Sequence, residues 1–327
     1  MGEFELLAKL RERLPAPGPR VRLGSGDDAA VTVPGGATAT SVDAIVDGVH
    51  FRRERAELEA IGHKALAAAL SDLAAMGAEP GEAYVYLGLP GDLGEDEALR
   101  LLDGMAALAG ETGTTLAGGD LTRAPALTLA VTVVGHAATA EQLISRAGAR
   151  PGDALVLTGE LGGAAAGLLL LENPELGAAL PAGTAELLRR RQLEPSPRLR
   201  AGHALAGAGA TAMIDLSDGL GADAGHLATA SGVGLRIDAA ALPLAKGVAE
   251  VALAAGRDPL ELAAGGGEDY ELLAALPAGR LGEASSAIGE AAEATLTPVG
   301  EAVAGSGVAI RLPGGGRLNA TGFDQLS

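Results

Sequence analysis

Apolar positions recur along the chain at two periods, and their alternation predicts a mixed helix and strand protein. Phe4, Leu7, Leu10 and Leu14 fall at helical spacing, which predicts a short amphipathic helix over 1–14, broken by Pro15, Pro17 and Pro19. Strand patterns follow at 29–33 and 37–45, joined by the Pro34-Gly35-Gly36 turn. An Ala/Leu-rich helix is predicted over 57–76, closed by Gly77 and Pro80. A strand at 83–89, a helix at 95–112 and a strand at 114–117 that runs into Gly118-Gly119-Asp120 come next. A long strand at 126–137, mostly β-branched and apolar, completes the first half.

Pro151-Gly152-Asp153 marks the start of a second unit. Strands are expected at 154–158, 210–216, 234–237 and 270–275, with two more in the tail over 295–312. Helices are expected within 159–171, once within 172–200, at about 219–230, and twice within 245–264. Mixed elements in both halves predict α/β and α+β architecture in two domains, with the division near 140–150. We assign 1–145 to the first domain and 146–327 to the second. No repeat of 20–50 residues is visible.

The 327 residues carry 24 Lys and Arg against 42 Asp and Glu, a formal charge of −18. A balance this acidic argues against nucleic acid and anionic membrane surfaces as partners, because both need a basic face. Six aromatic residues, none of them Trp, leave the core aliphatic. With no Cys there is no disulfide framework, thiolate metal site or thiol nucleophile. The acidic N-terminus has no signal-peptide character, and no apolar run is long enough to span a bilayer, so a soluble cytoplasmic protein is expected.

The acids cluster at strand ends and helix starts: Asp27-Asp28 after a Gly turn, Ser41 and Asp43, Asp72, Asp120, then Asp215, Ser217 and Asp218. Taken singly, each is equally a solvated turn or a helix cap. In a strand, Ser41 and Asp43 share one face, with Val42 expected to pack inward. A hydroxyl beside a carboxylate is a hard oxygen donor set of the kind that suits Mg²⁺. Asp72 falls late in a helix, where the dipole disfavours a carboxylate and a cation would reverse that. Ser217 and Asp218 are expected at a helix N-cap, a position that also receives phosphates. Gly265-Gly266-Gly267-Glu268 feeds an acidic strand start. Carboxylates converging in this number would repel without divalent cations, and polyphosphate is the natural ligand for such a cluster. No Walker P-loop, nucleophile elbow or HExxH helix is present, and the three lysines (9, 64 and 246) exclude the protein-kinase pattern.

The ordered motifs GSGDDAA (24–30), SVDAIVDGVHF (41–51), SDLAAMGAEP (71–80), GGDLTR (118–123), SRAGARPGD (145–153), MIDLSDGL (213–220) and GGGEDYEL (265–272) resemble those of the thiamine-monophosphate kinase family. That family falls within the aminoimidazole ribonucleotide synthetase-like ATP-binding superfamily, and the resemblance covers nearly the whole chain.

The resemblance implies ATP-dependent transfer of a phosphoryl group to thiamine phosphate by a direct in-line step. It also implies a homodimer whose N-terminal sheets pair into a barrel. Carried over by motif, Asp28, Ser41, Asp43, Asp72, Asp120, Asp215 and Asp218 would hold Mg²⁺, with Val42 contributing main chain only. Gly119, Asp120, Arg146 and Ser217 would contact ATP. His50, Glu268 and Phe323 would line the thiamine phosphate site. No residue is singled out as a covalent or general-base catalyst. The aromatic that often precedes the helix glycine ahead of GGD is Asp103 here, and Thr is usual where Val42 stands. The alternatives are another ATP-dependent enzyme of the superfamily, such as a purine-pathway synthetase or a hydrogenase-maturation dehydratase, and a non-catalytic nucleotide- and Mg²⁺-binding regulator.

Overall fold

The computed structural model describes residues 9–10, 12–14, 16–25, 29–291, 294–318 and 322. The expected site residues Asp28 and Phe323 lie outside them. The chain divides into two compact units, 1–73 with 78–140, and 74–77 with 141–327.

In the first unit, helical residues 9–10 and 12–13 precede a small antiparallel ribbon of β1 (Val21–Leu23) and β2 (Val31–Thr32). Its sheet comprises β3 (Ala37–Val46), β4 (Glu79–Leu89), β5 (Thr115–Arg123) and β6 (Thr128–Ala137), in the order β3-β6-β4-β5. The β4–β5 pair is parallel and the others antiparallel. Helices α1 (Leu58–Ala75) and α2 (Glu95–Thr112) supply the apolar layer. Leu129, Val131 and Val133 alternate along β6 and are buried, as are Leu66, Leu70 and Leu73 of α1. Burying such aliphatic side chains contributes about 1.5–3 kcal/mol each, the main driving force in a core with so few rings.

Two expectations change here. Along β3 the odd positions turn inward and the even ones outward, so Val42 is 65% exposed while Ser41 and Asp43 face in. The period of two was legible in the sequence, but the side that the helices cover was not. Gly118-Gly119-Asp120 lies inside β5 rather than after it, because β5 pairs in register with β4 as far as Arg123.

The second unit contains β7 (Asp153–Thr158), α3 (Gly163–Glu172), α4 (Thr184–Leu193), α5 (Leu199–Gly207), β8 (Ala212–Asp215), α6 (Leu220–Ser231) and β9 (Gly234–Asp238). These are followed by α7 (Val248–Ala254), α8 (Pro259–Gly265), β10 (Leu272–Pro277), α9 (Leu281–Ala291), β11 (Leu296–Val303), β12 (Gly307–Arg311) and β13 (Arg317–Leu318). Seven strands form one sheet in the order β13-β12-β9-β11-β7-β10-β8. Only β9–β12 is parallel. One core cluster joins this sheet to α6 through Leu155, Leu157, Ile214, Leu227 and Leu273, and a smaller one packs α3, α4 and α7 together. The sequence pattern predicts one helix in 172–200, whereas α4 and the start of α5 both fall there.

Candidate functional site

In the first unit, β3 and α1 bring two expected residues together. Ser41 Oγ donates a short hydrogen bond to Asp72 Oδ2. Asp43 is two residues further along the same inward face of β3. The turn after β3 holds His50, whose Nδ1 accepts from the Val46 N–H at 3.1 Å. In the neutral ring this leaves Nε2 as the protonated nitrogen. Lys64 of α1, only 1% exposed, sends its ammonium towards the His50 carbonyl at 3.5 Å. A buried ammonium is costly unless polar groups surround it, so its placement under this turn is a structural commitment.

Asp120 is not part of that group. It lies on β5, at the opposite edge of the sheet from β3, where it pairs with Tyr86 of β4 and shares a face with Thr122, whose hydroxyl is 2.9 Å from Tyr86 Oη. Three strand spacings separate the edges, roughly 14 Å. Gly119 sits against Val85, where an added Cβ would come within 2.0 Å of the Val85 carbonyl oxygen. Beneath this strand is a cavity of about 90 Å³, walled mainly by Leu87, Leu101, Met105 and Leu116, with Ser25, Gly119 and Asp120 also in its lining. Asp103 does not line it and instead forms an ion pair with Arg13.

In the second unit, Asp215 ends β8 and is buried. Ser217 and Asp218 do not cap α6. The N-cap is Gly219, at φ 109°, and an added Cβ there would press on the Gly265 carbonyl. Asp223, in the first turn of α6, takes the capping part instead: its Oδ2 accepts the Asp218 and Gly219 N–H groups at 3.1 and 3.0 Å. Burial pushes the Asp223 carboxyl up to about 7, and the charges of Asp215 and Asp218 push the same way. Asp223 carries no signal in the sequence beyond an acid in the first turn of a helix.

Glu268 follows the glycine run, and its N–H donates to the Ser217 carbonyl at 2.8 Å. The adjacent Asp269 accepts from Gly162 N–H at 2.6 Å and Ala164 N–H at 3.1 Å, and burial raises it to about 7. Glu271 is buried and paired with Arg198 and with the Thr158 hydroxyl. Arg146 is exposed, on a segment pinned by Ser231 Oγ to the Arg146 carbonyl at 2.9 Å and by Met213 N–H to the Ser145 carbonyl at 3.0 Å.

Among the described residues, no group of three or more His, Asp or Glu side chains is arranged to hold a metal ion. Each unit nevertheless offers oxygen donors: Ser41 bonded to Asp72 with Asp43 on the same face of β3, and Asp215 and Asp218, whose charges both act on Asp223. The chemistry fits Mg²⁺, which is commonly held by one or two carboxylates and completed by water and phosphate oxygens.

Two family models cover most of the chain. The AIR synthase related protein N-terminal domain matches residues 26–137, and the corresponding C-terminal domain matches 150–313. The paired α/β units are thus those of the AIR synthase-related proteins. Curated thiamine-monophosphate kinases from Escherichia coli K12 and Mycobacterium tuberculosis H37Rv are 40% and 39% identical to it. The alignments span 88% and 84% of this chain and 86% and 80% of theirs. The crystal structure of thiamine-monophosphate kinase from Stenotrophomonas maltophilia K279a superposes with a TM-score of 0.81 at 36% identity, over 96% of this chain and 98% of that one. AaThiL complexed with AMPPCP and TMP superposes at 0.77 with 28% identity, over 98% and 96%. Within the AIR synthase-related proteins, the chain belongs to the thiamine-monophosphate kinase family. The hydrogenase maturation protein HypE, at 22% identity and a TM-score of 0.73, shares the fold.

Proposed function

We propose that the protein transfers the γ-phosphoryl group of ATP to the phosphate of thiamine phosphate, giving thiamine diphosphate and ADP. The observation that carries this reading is the 40% identity to a curated thiamine-monophosphate kinase over 88% of the chain. The reaction forms a bond between an acceptor phosphate oxygen and the γ-phosphorus. It breaks the bond from that phosphorus to the β,γ-bridging oxygen, which leaves with ADP. The acceptor oxygen is already anionic at neutral pH, so no strong general base is needed, and direct in-line transfer without a phosphoenzyme suffices. Positioning and charge neutralisation then supply the rate.

The leucine-lined cavity beside Gly119 and Asp120 suits the adenine base, with aliphatic walls in place of a stacking ring. Arg146 and Ser217 would contact ATP from the second domain, which we take as 146–327. Asp28, Ser41, Asp43, Asp72, Asp120, Asp215 and Asp218 would hold Mg²⁺, with Val42 offering its main chain. When bound, Mg²⁺ supplies the positive charge that lets phosphates approach an acidic surface. His50 and Phe323 would line the acceptor site, and Glu268 would offer its carboxylate to the cationic thiazolium or the aminopyrimidine.

The first domain, 1–145, would also form a dimer. Val42 stands exposed on the open face of the sheet, and β3 and β5 are its two edge strands. Closing two such sheets into a barrel covers that face and removes both edges. It also sets β5 of one chain beside β3 of the other, bringing Asp120 of the partner subunit towards Asp43. A cytoplasmic location accords with ATP as the phosphoryl donor.

The test is product analysis with ATP, Mg²⁺ and thiamine phosphate, run beside thiamine and beside no acceptor. Thiamine diphosphate with one equivalent of ADP, formed only from thiamine phosphate, is the expected result. ADP without thiamine diphosphate points to another substrate, and ATP binding without ADP points to a regulator.

A further inference from the structure

Glu268 and Tyr270 are the two non-glycine residues at positive φ among those described, at 65° and 50°. Side chains of this size adopt that conformation rarely, and it persists where the surroundings over-determine it. Asp269, between them, adds a side-chain restraint to the backbone bonds that Glu268 and Tyr270 N–H make to the Ser217 and Leu216 carbonyls. Its two carboxylate oxygens accept the Gly162 and Ala164 N–H groups at the start of α3, where the N-cap residue is a glycine with no side chain to offer. Asp269 therefore caps α3 from about a hundred residues away, and the helix in turn anchors the Asp269 side chain between the two strained residues.

A second restraint acts on the side chain. Gln192 of α4, only 4% exposed, donates through Nε2 to Glu268 Oε2 in a short hydrogen bond. Helices α3 and α4 pack closely, with Gly167 set against the Leu188 carbonyl, so cap and amide belong to one rigid pair. A neutral amide orients a carboxylate without cancelling its charge.

Resting on the acceptor role given to Glu268 above, we propose that Asp269 and Gln192 are positioning residues for the acceptor: Asp269 sets the backbone of Glu268, and Gln192 sets the plane of its carboxylate. Together they govern how tightly thiamine phosphate is held.

Steady-state kinetics with each substrate varied would test this on the full chain, using Gln192→Met, Gln192→Glu and Asp269→Asn, alone and combined with Glu268→Ala. Gln192→Met should raise KM for thiamine phosphate about tenfold, the scale of one lost hydrogen bond to a charged group. KM for ATP should stay within about twofold, since the change acts only through Glu268. Gln192→Glu, which sets carboxylate against carboxylate, should raise the same KM further, and Asp269→Asn should act in the same direction. In the Glu268→Ala background, Gln192→Met should add nothing. Poor folding lowers apparent kcat and leaves both KM values alone, so it cannot mimic the expected result. An unchanged KM in both Gln192 variants, or an equal effect with and without Glu268, overturns the proposal. Wild-type enzyme that makes no thiamine diphosphate overturns the functional reading instead.

Discussion

The backbone N–H of Glu268 donates to the carbonyl of Ser217 at 2.8 Å, so the segment assigned to the acceptor is hydrogen-bonded to the one assigned to ATP. Tyr270 N–H to the Leu216 carbonyl at 2.9 Å and Leu216 N–H to the Glu271 carbonyl at 2.8 Å continue the pairing. Glu268 thus sits on a braced strand of chain rather than a free loop, despite the three glycines before it. Glu268→Gln keeps the backbone bond and removes the charge. If the carboxylate faces a cationic ring, KM for thiamine phosphate should rise about tenfold while KM for ATP holds. Equal KM for thiamine phosphate in both proteins would remove Glu268 from the acceptor site.

Asp223 closes the turn that carries Asp218. Two backbone N–H groups end on one of its oxygens, and little of the residue reaches solvent. Asp223→Ala leaves both amides without that acceptor, which costs about 1–3 kcal/mol where water cannot replace it. Urea unfolding should show a loss of that size. A variant as stable as wild type would mean that relief of the repulsion from Asp215 and Asp218 offsets the lost bonds.

What the sequence disclosed follows the range of the forces involved. The shared face of Ser41 and Asp43 was readable because strand alternation is local. The outward turn of Val42 was not, because it depends on which side of the sheet α1 and α2 cover. The Gly118-Gly119 pair suggested a turn, yet register with β4 holds it in a strand. Helix α6 invited Ser217 or Asp218 as its cap, but Asp223, within the helix, takes the Asp218 and Gly219 amides. Gln192 and Asp269 carry no local signal for what they do, since their partners lie 76 and 107 residues away in sequence.

Asp43 and Asp120 occupy opposite edges of one sheet, so one chain does not bring them together. If both serve one active site, the second must arrive from the partner subunit. Co-expressed Asp43→Asn and Asp120→Asn chains should then form mixed dimers in which one of the two sites is intact. Each homodimer should be nearly inactive, and the mixed population should regain roughly a quarter of wild-type activity, half of one half by random pairing. Mixed dimers, isolated by two different affinity tags, with no more activity than the homodimers would place both residues in the same chain's site.

The pH dependence of stability should carry the signature of Asp269. Burial raises its carboxyl from 3.8 to about 7, against the pull of the two α3 amides. Between those values the folded chain retains a proton that the unfolded chain has lost. Its contribution is therefore full below about pH 4 and is lost as pH rises through about 7, at no more than about 1.4 kcal/mol per unit. Asp269→Asn has no such proton. The stability of wild type relative to the variant should therefore fall from pH 4 to pH 7 and level off above. Urea unfolding of both proteins at matched pH values measures this difference, because titrations not coupled to Asp269 cancel. A difference that grows with pH would show that the α3 amides hold the ionised carboxylate strongly enough to outweigh its burial.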